Sequence, residues 1–400
     1  MKLKFCKNLT FVQITNIYQL MRPYFFLYKL YGLFPYKISK NQIHSSKIGL
    51  CHTFFVAMSC IVYFVIAMYQ CFYSLDIVFD TTESLMQFTS YFMLGTFIAV
   101  YSCASNKYKF LLLKKLILLS SMLSEKEFFE VAKVIYFKDI IGYIFLMGQI
   151  FNIASEDLTA QNISKMFALH ITMIVFLMDM QYSNFVFLLK SCLKNVNNNL
   201  QLLTKSYEGC EIISCNKSMQ LLQFNNLQLI KLRKLQHNHH HVSCVIKELN
   251  TVFTLQIIAT VLMTFAEVTF GLYFFILHIQ GKKGIDLDKQ LWFNYFITSV
   301  TYYSLKMAVM VWICQETKNE SLKTGIIVHD VILNNNNEQL KSELSLFSLQ
   351  LLQCNNEFTS KCIVMNANLI SGVVSGIATY LLILIQFLNT KKSTSKNNEQ

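Results

Sequence analysis

The residues best suited to chemistry lie in the last apolar run, residues 363–388. Asn366, Asn368, Ser371, Gly372, Ser375, Gly376, Thr379 and Gln386 give that run an unusual content of small and polar groups. At a helical advance of about 100° per residue, Asn368, Ser371, Ser375, Thr379 and Gln386 fall within an arc of about 80°. Leu382 lies in the same arc. A polar stripe interrupted by one apolar step suits a helix facing a water path, with Leu382 forming a gate by dewetting. The same residue types also hold helices together in membranes, so spacing alone leaves a packing face open. One helix cannot enclose a pore, so a pore reading requires several copies of the chain around an axis.

Ionisable groups inside other apolar runs come next, because lipid makes them expensive. Asp179 and Lys306 stand at similar depths, so they could pair or could snorkel separately towards an interface. Glu267 is placed nearer the middle of its run, as a ligand or water contact or as a satisfied packing carboxyl. The outer halves of five runs carry Gln87, Tyr91, Gln149, Asn152, His170, Tyr273, Trp292, Tyr295 and Tyr302, with Thr172 and His278 nearby. An apolar pocket with a few placed polar groups could be built from them and from Glu267. For the Tyr and Trp residues near run ends, the alternative is the interfacial aromatic belt. His237, His239, His240 and His241 have no Cys or carboxylate in register, so they read as a solvated polar turn rather than a metal site. Asn162 heads a glycosylation sequon close to the membrane. No nucleotide loop, nucleophile elbow or zinc-protease motif occurs, so neither an enzyme nor a bound cofactor is expected.

These groups need membrane-spanning elements to position them. The chain has 400 residues, 54% hydrophobic and only 14% charged, against about 25% charged in soluble domains. Seven runs are long enough to span: 50–72, 84–103, 133–153, 166–190, 252–279, 290–314 and 363–388. The third is the weakest, with Lys133, Lys138 and Asp139 in its first two turns, a charged end expected at the interface. The 12 Cys are scattered and read as buried thiols that pack as small hydrophobes. A net charge of +12 would suggest nucleic acid in a soluble protein, but here it follows topology. With the N-terminus inside, segments 1–49, 104–132, 191–251 and 315–362 carry 24 Lys and Arg, and the outer segments carry 7. That bias orients the bundle and places the C-terminus outside.

The expected architecture is therefore all-α: a seven-transmembrane helical protein with cytoplasmic helical extensions forming an anchor bundle. It divides into a cytoplasmic N-terminal segment (1–49), spans one to six with their extensions (50–314), anchor helices (315–362), a pore-lining last span (363–388) and an extracellular tail (389–400). Apolar residues at helical spacing in 200–203, 221–235 and 340–352 carry the extensions. The Asn runs 197–199 and 334–337 read as turns, and 391–400 as disordered.

The run Thr379-Tyr380, five apolar residues, Gln386-Phe387 resembles the signature of insect gustatory receptors, and the topology resembles that family over the whole chain. The resemblance implies a homotetrameric or heteromeric ligand-gated cation channel in the plasma membrane of sensory neurons, opened by a small-molecule tastant. It also implies a last span lining the pore, Gln386 and Phe387 at its outer constriction, and a pocket among spans two to six. Sugar receptors of the family often carry Glu after the Thr-Tyr pair, where this chain has Leu381, so bitter or other small molecules are favoured. A G-protein-coupled receptor would need the opposite orientation and prolines in its later spans. A secondary transporter would need an internal repeat and broken helices.

Overall fold

The computed structural model describes residues 17–39, 42–74, 81–154, 162–211, 218–279, 289–334 and 337–397. Side chains are described in these stretches except at 38–39, 42, 149–154, 162–164, 204–211, 218–224, 289–295, 334 and 388–397. The elements in order are α1 (Ile17–Leu30), β1 (Tyr36–Ser39), β2 (Gln42–Ser45), α2 (Lys47–Tyr69), α3 (Thr82–Ala104), α4 (Asn106–Ser120) and α5 (Glu125–Ala154). Then follow α6 (Asn162–Glu211), α7 (Ser218–Ile279), α8 (Lys289–Asn334), α9 (Glu338–Gln353), β3 (Thr359–Ser360), β4 (Ile363–Val364) and α10 (Ala367–Asn397).

Each expected span falls on one of these helices, and local chemistry starts several of them. Ser46 accepts from the Gly49 amide ahead of α2, and Thr81 accepts from the Ser84 amide ahead of α3, both at 3.2 Å. Ser124 and Glu127 form a reciprocal capping box on α5. By length and composition, α2, α6, α7, α8 and α10 each contain a stretch able to cross a bilayer. The pair α3 and α4 does so together, bent by 66°.

The all-α expectation holds apart from two short antiparallel hairpins, β1–β2 before α2 and β3–β4 before α10. The second corrects the start of the last span: Ile363 and Val364 are extended, and α10 begins at Ala367. Asn366 marks the change, its Oδ1 accepting from the Leu369 amide at 3.2 Å. The expected disordered tail is also corrected, since α10 continues to Asn397.

α6 is the central element. Of its most apolar stretch, 94% is buried inside the subunit, against 6% for α10. α3, α5, α7 and α8 all pack on α6. The approach of α3 is so close that a Cβ on Gly95 would sit 2.2 Å from Cγ2 of Ile171. α1, inside the stretch expected to be a separate N-terminal segment, is packed into the bundle. Tyr24 stacks on Tyr136 of α5, and Tyr136 donates to the Leu20 carbonyl at 2.9 Å.

Of the charged start of the third span, Lys133 is exposed beside Glu130, but Lys138 and Asp139 are not. Lys138 and Asp139 pair with each other and are almost fully buried, and Asn184 of α6 donates to Asp139 at 3.1 Å. Internal neutralisation replaces the solvent contact expected for this turn.

The extensions of α6, α7 and α8 meet α9 in a second core. Val196, Leu200, Leu232, Leu235, Val328, Leu344 and Phe347 are buried there. Asn197–Asn199, expected as a turn, lie within α6. Asn197 is buried, donating to the Glu320 carbonyl at 2.8 Å and accepting from Thr324 at 2.6 Å. Those partners on α8 satisfy the amide that would otherwise favour a turn. Of the second Asn run, Asn334 ends α8, 335–336 lie outside the described residues, and Asn337 caps α9 by accepting from the Gln339 and Leu340 amides.

Candidate functional site

Two sets of residues stand out, one on α10 and one between α3, α6, α7 and α8. α10 docks on α7 and α8 along a single face. Ile377 is 8% exposed. A Cβ on Gly376 would sit 3.0 Å from the Phe265 ring, and Phe265 meets Tyr380 edge-on at 5.5 Å. Leu381 and Leu384 pack on the α7 cluster of Phe270, Tyr273, Phe274 and Leu277.

The opposite face carries the polar stripe. Asn368, Ser371, Ser375, Thr379, Leu382 and Gln386 are all exposed in the subunit. At about 100° per residue, the centre of the stripe lies roughly 170° from the centre of the docking face. The stripe is therefore not the face that packs α10 within the chain. Ser371 and Thr379 donate to the Asn368 and Ser375 carbonyls at 2.9 Å, so their hydroxyl protons stay on their own helix. Phe387 is 70% exposed and flanks the stripe.

The second set forms a polar seam inside the bundle. Gln87 of α3 donates Nε2 to Glu267 Oε2 of α7 at 3.0 Å. Glu267 is 5% exposed, and its Oε1 has no hydrogen-bond partner among the described residues. Lys306 of α8 bears on Glu267 electrostatically and contacts Asp179 of α6 at 2.9 Å, with both side chains 3% exposed. The two charges pair rather than snorkel, as an ion contact without an aligned hydrogen bond. Asp179 Oδ1 also accepts from Thr260 at 2.9 Å and from Gln256 at 3.3 Å. The Tyr302 and Tyr303 rings lie 5.4 and 5.1 Å from the Lys306 ammonium, a cation–π arrangement.

Of the expected pocket residues, Gln87, Tyr91, Glu267, Tyr273 and Tyr302 lie on the four helices bordering this seam. Tyr91 bonds to Thr172 and to the Ala168 carbonyl. Tyr273 donates to Glu83 at 3.4 Å. The Tyr302 hydroxyl is buried without a partner among the described residues. His170 turns elsewhere, against Tyr31 at 5.3 Å and Phe167 at 6.4 Å. The side chains of Gln149, Asn152, Asn162, Trp292 and Tyr295 lie outside the described residues. Gln256 and Thr260 were not anticipated. Their signal was available, because Gln256, Thr260, Thr264 and Glu267 follow helical spacing along one face of the fifth span. The seam thus brings polar donors and an open carboxylate oxygen together among buried aromatic residues.

The histidine run divides its faces. His239 is fully buried against Phe347, with neither ring nitrogen partnered among the described residues. Burial pushes its pKa down to about 4. His237 and His241 turn to a separate cleft.

The family model for the 7tm chemosensory receptors matches residues 21–388. The chain belongs to that family. A Drosophila melanogaster protein carrying the name gustatory receptor 28b is 23% identical over 97% of this chain and 89% of its own length. The Drosophila gustatory receptor for bitter taste 66a is 29% identical over 39% of this chain and 30% of its own length. Among solved structures, the insect olfactory receptor OR5 from Machilis hrabei matches with a TM-score of 0.63 and 11% identity. The match covers 92% of this chain and 97% of that one. The same receptor in complex with eugenol matches at a TM-score of 0.65 and 12% identity, over 92% and 98%. This member of the family is thus a multi-pass chemosensory receptor with the fold of an insect olfactory receptor.

Proposed function

We propose that this receptor is one subunit of a ligand-gated cation channel, opened by a small-molecule tastant in the plasma membrane of sensory neurons. The observation that carries the reading is the polar stripe of α10, uncovered and opposite the helix's docking face. Lipid would penalise that stripe, so water or other subunits must cover it. Copies of the chain around an axis, as a homotetramer or a heteromer with related subunits, meet both needs. Ser371, Ser375 and Thr379 then line the conduit, Leu382 narrows it, and Gln386 and Phe387 border its outer mouth.

The excess of Lys and Arg on the inner segments orients the bundle with its N-terminus in the cytoplasm. In that orientation the seam from Gln87 and Tyr91 to Glu267, Tyr273 and Tyr302 belongs to the outer and middle membrane. Eugenol, the ligand in the Machilis complex, is a small molecule, which supports a small-molecule ligand here. The name of the bitter-taste relative supports a bitter compound as the class to try first.

The test is electrical. Cells lacking endogenous receptors express the chain, alone or with a related subunit, and excised patches are exposed to a tastant panel. A ligand-evoked current is expected without added nucleotide. Leu382→Ser should raise the basal current, because a hydroxyl removes the apolar constriction. A response that disappears in excised patches and depends wholly on a G protein would overturn the channel reading. Unchanged conduction in both Leu382→Ser and Gln386→Ala would remove α10 from the pore.

A further inference from the structure

The inner extensions enclose a cleft that neither the pore nor the tastant seam uses. It has a volume of about 980 Å³ and lies between the end of α4, α6 and α7. Ligand sites fall at about 300–1,000 Å³. One wall is a stripe of α7 bearing Lys231, Lys234, His237, Asn238 and His241, and the facing wall of α6 presents Asn195 and Asn199. The floor is apolar, and no carboxylate lines the cleft.

We propose that this cleft binds a phosphate-bearing anion. Lys231 and Lys234 are exposed and form no ion pair among the described residues. Their neighbour Arg233, on another face of α7, is already held by Glu343 of α9. Two carboxylates that bear on cleft residues, Glu127 on Asn195 and Glu248 on His241, are engaged as well. Glu127 accepts from Asn195 at 2.9 Å and from Ser124, and Glu248 pairs with Lys115. Among the described residues, Lys231 and Lys234 therefore have no carboxylate partner. Burial first, then the neighbouring His237 and Lys115, hold His241 below its ordinary pKa, against an opposing pull from Glu248. From Lys231 to His241 the wall extends about 15 Å along α7 at 1.5 Å per residue. That length exceeds what one carboxylate or one phosphate covers, and it matches a ligand with several phosphates. The Asn238 amide, set between the cations, suits a phosphate oxygen, while the Asn195 and Asn199 amides already donate within the chain.

Phosphate groups could arrive on a soluble molecule or on a lipid headgroup. Leu118 and Leu202, each 63% exposed, give the cleft an apolar rim that an acyl chain could use. α7 runs unbroken from this wall to Phe265 under α10, so an occupied cleft would bias the helix that touches the proposed pore span.

The experiment uses the purified full chain in phosphatidylcholine nanodiscs, so the measured affinity does not depend on membrane orientation. Binding of free inositol trisphosphate is measured in one arm. In the other, phosphatidylinositol bisphosphate is doped into the nanodisc. Saturable binding in either arm is expected, and the arm that saturates identifies the source. The double variant Lys231→Gln/Lys234→Gln should weaken it about tenfold, on the scale of two charge-assisted contacts. Lys37→Gln, in the distant first hairpin, should leave it unchanged. Asn238→Asp, which sets a carboxylate on the same wall at nearly constant volume, should also weaken it and keeps the test decisive if the lysine variant does not fold. Lack of saturation in both arms would overturn the proposal. So would wild-type affinity in a folded double variant or a folded Asn238→Asp protein.

Discussion

Neutralising Asp179 should destabilise the receptor by about 3–5 kcal/mol, the usual cost of leaving one partner of a buried ion pair alone. The Asp179–Lys306 contact is 2.9 Å long, with both side chains 3% exposed. At an effective dielectric of about 20, that separation corresponds to roughly 6 kcal/mol of attraction, much of it offset by desolvation. Asp179→Asn keeps an oxygen for Thr260 and Gln256 but strands the Lys306 ammonium between Tyr302 and Tyr303. Asp179→Asn/Lys306→Met removes that stranded charge. It should recover all but about 1–2 kcal/mol, the residue being one imperfectly paired buried amide. The recovery is then about 1–4 kcal/mol, and adding the cost of Lys306→Met alone completes the cycle and gives the coupling energy, expected above the roughly 0.5 kcal/mol limit of additivity for independent sites. Reversible unfolding in mixed micelles by titration with dodecyl sulfate measures all the variants. Stability of Asp179→Asn within about 1 kcal/mol of wild type would refute the reasoning, since it would mean that Lys306 reaches water or lipid headgroups. Retention of the tastant response in the double variant is expected too, because the pair braces α6 against α8 rather than presenting its charge to a ligand.

Two further outcomes follow from packing and from titration. Gly95→Ala would set a Cβ 2.2 Å from Cγ2 of Ile171. It should cost about 1–3 kcal/mol in the same unfolding assay by overpacking α3 against α6, and the added cost should be smaller in an Ile171→Ala background, which lacks the Cγ2 methyl. His239, with its folded pKa near 4 against 6.5 for the free side chain, binds protons more readily when unfolded. Its contribution is therefore fully present above the unfolded pKa and is lost as pH falls from 6.5 towards 4, amounting to about 2 kcal/mol between pH 7 and pH 5. His239→Leu should flatten that acid limb in unfolding curves taken across this range. An unchanged limb would show that the histidine is hydrated.

How much was legible in the sequence depended on whether a residue's partners were nearby in the chain. The stripe of α10 was legible because it is a property of one helix read at its own period. What spacing could not decide was which way the stripe faces, and that rests on Gly376 and Ile377 meeting α7. The pairing of Asp179 with Lys306 was legible from depth, because lipid leaves two opposite charges at one level few alternatives. Asn197–Asn199 were misread as a turn because their intrinsic preference is for turns, while the groups that override it, Glu320 and Thr324, lie on another helix. Lys138 and Asp139 were assigned to the interface for a similar reason, since Asn184 and Met180 of α6 were not visible as their partners. His170 has the right type and depth for the seam, but its rotation about α6 takes it to Tyr31, a contact that only the packing of α1 creates.

One helix joins the anchor, the polar seam and the proposed pore span. α7 is 62 residues long, about 93 Å at 1.5 Å per residue. Its inner part buries Leu232 and Leu235 against α8 and α9, and its membrane part carries Gln256, Thr260 and Glu267. Phe265, the residue that meets Gly376 and Tyr380, stands two positions before Glu267 on the same turn. A ligand that pulled on the Glu267 carboxylate or displaced Gln87 from it would therefore act within one helical turn of the α7–α10 contact. Within its own subunit α10 is the least covered of the five single helices able to span, with 6% of its apolar stretch buried against 94% for α6. Local opening follows the elements with the fewest buried contacts. In the proposed channel the division of labour follows from these burials. We propose that α6 and its ion pairs hold still, α7 transmits, and α10, little covered within its own subunit and polar on its free face, is the part that moves.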